Sequence, residues 1–454
     1  MFFLSLALPL LAGGALGAQP KKLNVLFIAA DDLRPTLGCY GHPLAKTPNI
    51  DALAGAGVRF ERAYCQFPLC NPSRASLLTG RYPGTTTVLD NTRYFRQELP
   101  DVVTLPQHFR NNGYVTARAG KIFHGGIDDQ ASWDEGGQPG GPRKPRTKEQ
   151  AAKYRKTSDR WVAVEGDTSK LADVRTADRA IALLEKYRDR PLFLAVGFVK
   201  PHTPLIAPEK YFSLYDAEKI ELPVDFAARP KVGPGVPERA LPKVNGDIFI
   251  DRDATPKEAR EMIRAYLACT SFIDHEAGRV LAKLNELGLR DSTVVVFWGD
   301  HGFHLGEKGK WSKHNSLYEA GTRVPLIIAA PGMKGNGQAC PRPAELLDLY
   351  PTLAELCGLP NPEGVEGHSL VPLLQNPRAE WGRPAFSMTR NGRSVRTERW
   401  RYTEWGRSGQ DGAELYDHAA DPHEAKNLAG DPAHAGTVAK LRTLLRGEWD
   451  RARE

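Results

Sequence analysis

A chain of 454 residues is too long for one small core and predicts a large α/β domain with a smaller companion. With 41% hydrophobic and 25% charged residues and no long low-complexity run, it is neither disordered nor fibrous. The net charge of +7 would suit a polyanionic partner, but the basic residues are spread along the chain with no nucleic-acid module, so they read as solvated surface and nucleic acid is not expected as a partner.

The first 18 residues are uncharged, apolar and end in small residues, as in a signal peptide cleaved after Gly17 or Ala18. The expectation is an exported protein without stable membrane association, because this segment is short for a span and no other stretch qualifies. Leu23 to Ala30 is a near-continuous apolar run, the mark of a strand buried on both faces of a parallel sheet, and it delivers Asp31-Asp32. Two adjacent carboxylates at the end of a buried strand repel unless a cation lies between them. Thr47-Pro48 opens a helix from Asn49 to Gly57, and Val58 to Ala63 reads as a second strand.

Next comes C-Q-F-P-L-C-N-P-S-R-A-S-L-L-T-G-R, Cys65 to Arg81. Asn71 suits a helix cap, Pro72 the first helical position and Gly80 the stop, which would put Cys70 just ahead of a helix N-terminus. Backbone N–H groups there favour negative charge, and Arg74 lies one turn on, so the window suits chemistry on an oxyanion. A Cys65–Cys70 disulfide, or two inert core thiols, would serve the same spacing equally well. Of six cysteines, five remain if Cys70 is modified, allowing at most two disulfides.

Leu105 to Asn112 predicts a helix and Tyr114 to Ala119 a strand running into Lys121 and His124. Gly126 to Arg160 is rich in Gly, Pro, Lys and Arg and predicts a surface insertion over a site. A helix follows over Leu171 to Arg188, then a strand over Pro191 to Val199 that ends in Lys200-Pro201-His202. The segment Pro223 to Ala254 reads as irregular. Thr255-Pro256-Lys257-Glu258 is a capping box opening a helix that stops at Gly288. Thr293 to Trp298 is a buried strand delivering Asp300-His301, Val324 to Ala330 is another strand, and Pro343 to Cys357 predicts a helix. A Pro/Gly-rich passage, Gly358 to Pro384, marks a boundary, placing a catalytic domain at 19–375 and an α+β subdomain at 376–454. The subdomain carries short strands at Arg393 to Thr397, Trp400 to Trp405 and Glu414 to Tyr416, then a helix from Asp431 to Trp449.

Four strands thus end in candidate catalytic residues, and in a doubly wound parallel sheet those ends form one ligand crevice. Asp31, Asp32 and Asp300 make an oxygen-rich set suited to calcium or magnesium rather than zinc. His42, His108, His275 and His368 read as surface or capping residues, and Arg378, Arg390 and Arg393 as a solvated face.

Cys70-Asn71-Pro72-Ser73-Arg74 with Leu78-Thr79-Gly80-Arg81 resembles the signature of the type I sulfatases. The resemblance implies an alkaline-phosphatase-like doubly wound, mostly parallel sheet with a smaller C-terminal α+β subdomain. It implies that Cys70 is converted by a formylglycine-generating enzyme, and that calcium is held among Asp31, Asp32, Cys70, Asp300 and His301. Asp300-His301 stands where most of the family carry Asp-Asn. That pair, with Gly120-Lys121-Ile122-Phe123-His124 and Lys200-Pro201-His202, is similar to the iduronate-2-sulfatase branch. The roles implied are a formylglycine nucleophile at Cys70, sulfate stabilisation by Arg74, Lys121 and Lys313, orientation of the nucleophile by His124 and protonation of the leaving alcohol by His202. Lys310 and His314 are rivals of Lys313. The substrate implied is a sulfated glycan, led by 2-O-sulfated uronic acid. A phosphonate monoester or phosphodiester hydrolase of the same fold, and a non-catalytic sulfated-glycan-binding protein, are the alternatives.

Overall fold

Strand β1 (Asn24–Asp31) is buried at every position, and its alternate side chains supply two separate cores. Val25, Phe27 and Ala29 pack with Leu77, Phe109 and Leu353 on one face; Leu26, Ile28 and Ala30 pack with Ala180, Ile273 and Val280 on the other. Each such side chain contributes about 1.5–3 kcal/mol on full burial, which is why the run carries no polar alternation. The computed structural model describes residues 22–451 except 139, 142, 145, 361 and 362, so the apolar segment at 1–18 lies outside the described residues.

The remaining strands are β2 (Val58–Tyr64), β3 (Val115–Gly120), β4 (Trp161–Val164), β5 (Leu192–Pro201), β6 (Leu205–Pro208), β7 (Thr293–Gly299), β8 (Arg323–Ala329) and β9 (Ala339–Glu345), then β10 to β13 in the C-terminal part. Seven form one sheet in the order β3-β5-β1-β7-β8-β2-β9. β3, β5, β1 and β7 are mutually parallel and β8 alone runs antiparallel to its neighbours, giving the expected mostly parallel sheet. The four parallel strands therefore deliver Asp31, Lys121, His202 and Asp300 to one edge. Between β1 and β5 the register slips at Asp31, which pairs with Pro201, so the chain ahead of His202 bulges out of the ladder there. Helices cover both faces: Cys70–Thr79, Leu105–Asn111 and Leu349–Leu356 on one, Pro48–Gly55, Ala172–Tyr187 and Pro256–Glu286 on the other. The last starts at the predicted capping box, where Thr255 Oγ1 accepts from Glu258 N at 3.3 Å and Glu258 Oε2 accepts from Thr255 N at 3.4 Å.

The C-terminal part is an antiparallel sheet, β10 (Ala385–Met388), β11 (Gly392–Arg396), β12 (Trp400–Trp405) and β13 (Ala413–Asp417), packed on the Ala435–Arg451 helix.

Several expectations change. Residues 339–345 are a strand, not the start of a helix; β9 is the sheet's outer strand, where Pro341 and Pro343 can sit without breaking an inner ladder. β10 is not legible in the sequence because four residues are too few to establish a period. The 126–160 insertion holds a helix, Lys148–Ser158, opened by a Thr147/Gln150 capping box. The Cys70–Thr79 helix begins at Cys70 itself with Leu69 as cap. Asn71 does not cap: its side-chain amide donates to the carbonyls of Asp90 and Arg93 instead. All six cysteines are free, so no disulfide forms.

The two sheets meet at a carboxyl cluster. Glu345 at the end of β9 accepts from Phe386 N of β10 at 2.8 Å and from the Tyr82 hydroxyl at 2.7 Å, while Asp348 accepts from the Glu345 and His368 amides. Burial, reinforced by Asp348, raises the Glu345 carboxyl well above its ordinary range, and burial pushes Asp348 up to about 7. The folded chain therefore holds protons that the unfolded chain releases near pH 4. Stability is full below that pH and falls as pH rises through about 7. Urea unfolding is expected to show lower stability at pH 8 than at pH 5, and Glu345→Gln is expected to shrink that difference. An unchanged difference would exclude this cluster as its source.

Candidate active site

Asp31 and Asp32 are fully buried, and Asp32 takes a left-handed backbone conformation (φ 63°) that is uncommon outside glycine, and its surroundings hold it there. Its N–H donates to Asp300 Oδ1 at 3.0 Å, its carbonyl accepts from the Tyr266 hydroxyl at 2.6 Å, and its Oδ2 accepts from Lys313 Nζ at 2.8 Å. This kink sets the two carboxylates side by side.

Arg74, fully buried one turn into the Cys70 helix, is spent on the chain itself. Nε donates to Asp300 Oδ2 at 2.9 Å, Nη1 to the Lys121 and Ile122 carbonyls at 2.9 and 2.8 Å, and Nη2 to Asp31 Oδ1 at 3.3 Å. The geometry makes Arg74 the counter-charge of the acids. Lys121 Nζ also pairs with Asp31. Burial raises the Asp31 carboxyl, but Lys121, His202 and Arg74 together hold it well below the usual range. Asp300, with fewer cations at hand, is pushed up to about 7 by burial despite Arg74.

Cys70 stands in the middle of this set. His301 Nδ1 donates to the Gly302 carbonyl, which turns Nε2 to within 3.3 Å of Cys70 Sγ, 3.4 Å of Asp32 Oδ1 and 3.5 Å of Asp300 Oδ2. Burial and Asp31 would raise the Cys70 thiol; Lys121, His301 and Lys313 outweigh them and hold it well below its ordinary value. The position is thus built for negative charge. His124 and His202 both interact with the Cys70 side chain. Burial lowers the His124 pKa, against the hydrogen bond with the Cys70 side chain, and so favours the neutral ring. His202 Nδ1 donates to the Thr203 carbonyl at 2.7 Å, and although burial opposes it, the Asp32 carboxylate raises its pKa and favours the protonated ring.

Ligand atoms of Asp31, Asp32, Cys70 and His301 lie within 4.8 Å of one another. Asp32 Oδ1 is buried with no hydrogen-bond partner among the described residues. An orphaned anionic oxygen in a dry, acid-rich nest fits a hard divalent cation. Asp300, the fifth expected ligand, lies alongside but is tied to Arg74 and the Asp32 amide. Glu319, His418 and Glu424 form another such cluster, but Arg401 already pairs with both glutamates, at 2.6 and 2.7 Å.

Of the rivals, Lys313 reaches the acids, whereas Lys310 Nζ donates to the His314 carbonyl. Arg390 pairs with Asp90 at the surface. Sequence reasoning missed Asp247, which is fully buried, accepts from the Tyr154 hydroxyl at 2.7 Å, and lies 3.6 Å from Lys313 Nζ and 3.4 Å from His314 Nε2. It lies in the irregular Pro-rich connection, where no periodicity marks a site. Over these residues opens a pocket of about 350 Å³ with His124, His202 and Lys313 among its lining.

Removing Arg74 strands two buried carboxylates. Arg74→Ala is expected to destabilise by about 3–5 kcal/mol in urea unfolding, and Arg74→Ala with Asp300→Asn to cost less than the sum of the single changes. Additive losses would show that the pair is not coupled.

The sulfatase family model matches residues 23–359, and a model described as N-sulphoglucosamine sulphohydrolase, C-terminal, matches residues 306–450. Iduronate 2-sulfatase of Mus musculus is 33% identical over 92% of this chain and 93% of its own. A structure solved in complex with its substrate D-glucosamine-2-N,6-O-disulfate superposes with a TM-score of 0.76 at 22% identity, covering 95% of this chain and 98% of that one. The phosphonate monoester hydrolase of Agrobacterium radiobacter does so at 0.75 and 24%, covering 94% and 96%. Those two likenesses show the fold alone. The family match, spanning far more than half of the sequence and containing every residue of the nest, carries the conclusion: the chain belongs to the sulfatase family and is a hydrolase of sulfuric esters.

Proposed function

We propose that this enzyme removes sulfate from sulfated glycans, with 2-O-sulfated uronic acid residues as the substrate, using Cys70 converted to formylglycine and one divalent cation, calcium. The observation that carries the reading is the nest itself: Asp31, Asp32, Cys70 and His301 within 4.8 Å, ringed by Lys121, Lys313, His124 and His202. The likeness to the mouse iduronate 2-sulfatase supports the sugar.

Asp31, Asp32 and His301, with Asp300 alongside, would hold the cation. Formylglycine at Cys70 would supply an oxygen nucleophile, and the cation a Lewis acid for it and for the sulfate. The chain's own residues do the rest. Lys121 and Lys313, fixed by Asp31 and Asp32, present positive charge to oxygens gathering charge near Cys70, the preorganised electrostatic role that dominates such transfers. His124, its neutral ring favoured by burial, orients the attacking group. His202, its protonated form favoured by the Asp32 carboxylate and its ring locked through Nδ1, offers Nε2–H to the departing alcohol. Arg74 is a positioning residue, keeping the acids apart and in register.

Maturation in this reading requires a formylglycine-generating enzyme, and the apolar N-terminal segment sends the protein out of the cytoplasm as a signal peptide. No described helix is long and apolar enough to cross a membrane.

The test is sulfate release from 2-O-, 6-O- and N-sulfated disaccharides beside a phosphonate monoester and a phosphodiester, using protein co-produced with the maturation enzyme. Release is expected from the 2-O-sulfated uronate, to vanish in Cys70→Ala and after chelation, and to return with calcium. His202→Ala is expected to lower kcat by about 10²–10⁴-fold. Turnover of the phosphorus esters, with no release from any sulfated sugar, would overturn the reading.

A further inference from the structure

The pocket above the nest carries more positive charge than one sulfate needs. Besides Lys313 and the two histidines, its lining includes Arg146, Arg155 and His314, with Asp247 as the acid. The two arginines are not equivalent. Arg155 is matched by Asp251, with both carboxylate oxygens 3.1 Å from Nη1. Arg146 has no ion-pair partner among the described residues; its guanidinium instead lies over the Tyr154 ring, 3.8 Å from the centroid. A guanidinium stacked on an aromatic face keeps its N–H edge free and its plane fixed, the arrangement that suits a carboxylate or sulfate held by two parallel hydrogen bonds.

The support beneath it is built. The Tyr154 hydroxyl donates to Asp247 Oδ1 at 2.7 Å, and Asp247 is fully buried and faces Lys313 through its other oxygen. On the backbone side, Arg146 immediately precedes the Thr147 cap, where Gln150 N donates to Thr147 Oγ1 at 3.2 Å and Thr147 N to Gln150 Oε1 at 3.0 Å. One chain of contacts thus runs from the acid nest through Lys313, Asp247 and Tyr154 to a cation on the pocket wall. The long 126–160 insertion supplies both Tyr154 and Arg146.

We infer that Arg146, stacked on Tyr154, is a specificity-determining anchor for a second anionic group on the substrate, so that the pocket selects sugar sulfates carrying a carboxylate or a further sulfate over monoanionic sulfate esters. The inference rests on the sulfated-sugar reading and deepens it.

The experiment compares wild type, Arg146→Ala and Arg146→Lys on a 2-O-sulfated uronate disaccharide, its carboxyl-reduced counterpart, a carboxyl-reduced disaccharide bearing a second sulfate, and 4-nitrophenyl sulfate. Calorimetric Kd values for the three disaccharides are measured in parallel in the Cys70→Ala background, so that binding is read without turnover. Arg146→Ala is expected to raise KM and Kd for the uronate 10- to 100-fold with little change in kcat. The loss on 4-nitrophenyl sulfate is expected to be at least ten times smaller, and Arg146→Lys to fall between. Sensitivity that disappears on carboxyl reduction identifies the carboxylate; sensitivity restored by the second sulfate identifies either anion as sufficient. Equal losses on all substrates, or uronate binding indifferent to Arg146→Ala, would overturn the anchor alone. Failure of the Cys70→Ala protein to bind any disaccharide would overturn the sulfated-sugar reading beneath it as well.

Discussion

The structure depends on keeping three carboxylates dry at the end of a sheet. Two like charges 4 Å apart repel by about 4 kcal/mol at an effective dielectric of 20, and Asp31, Asp32 and Asp300 are all fully buried. What decides each one's state is the number of cations within reach. Asp31 is met by Lys121, His202 and Arg74 and is held well below its usual range; Asp300, with Arg74 and His301, still rises to about 7. The cations come from different places: Arg74 from the Cys70 helix, Lys121 from the end of β3, Lys313 from the loop after β7. Neutralising the acids therefore fixes how helix, sheet and loop meet. Gly197 in β5 belongs to the same constraint, since a Cβ there would lie 1.9 Å from the Lys121 carbonyl oxygen. The close approach of the chain leaving β3 to β5 is what carries Lys121 to Asp31.

The junction with the C-terminal sheet solves the same problem twice, in opposite ways. Glu319 and Glu424 are balanced by Arg401, with Arg396 and His418 beside them, so their carboxyls are held low and the contact is ionic. Glu319 closes the loop that also holds His301 and Lys313, so the second sheet braces that loop from behind. Glu345 and Asp348 form no such ion pair among the described residues; burial raises both, and Asp348 raises Glu345 further. One half of the junction is held by charge, the other by protons.

The legible parts of the fold were those with strong local signals. The apolar runs of β1, β5 and β7, the Thr255 capping box and the Gly80 stop each act within a few residues, and each stands where the sequence places it. Strand polarity then brought four strand ends to one edge without any contact being known. What stayed hidden depends on partners distant in sequence. β9 is a strand because β2 pairs with it, although Pro343 within it reads as a helix start. Asn71 satisfies the Asp90 and Arg93 carbonyls rather than the helix, and nothing near it foretells that. Arg74, by its position one turn after Cys70, reads as a sulfate contact; its donors go instead to the Lys121 and Ile122 carbonyls and to acids 43 and 226 residues away. Asp247 had no local signal at all.

The division of labour across the chain follows from these constraints. Groups that hold the acids apart cannot vary without stranding a buried charge, so Arg74, Lys121 and Lys313 are tied to the nest whatever fills the pocket. The wall of the pocket has no such obligation. Among the described residues Arg146 pairs with no acid of the nest and lies over the Tyr154 ring, so its replacement changes what the pocket welcomes without disturbing what the nest does. One fold can therefore keep a fixed charged floor while the walls around it change. Selectivity belongs where the chain is free to change, and here that is the insertion carrying Tyr154 and Arg146.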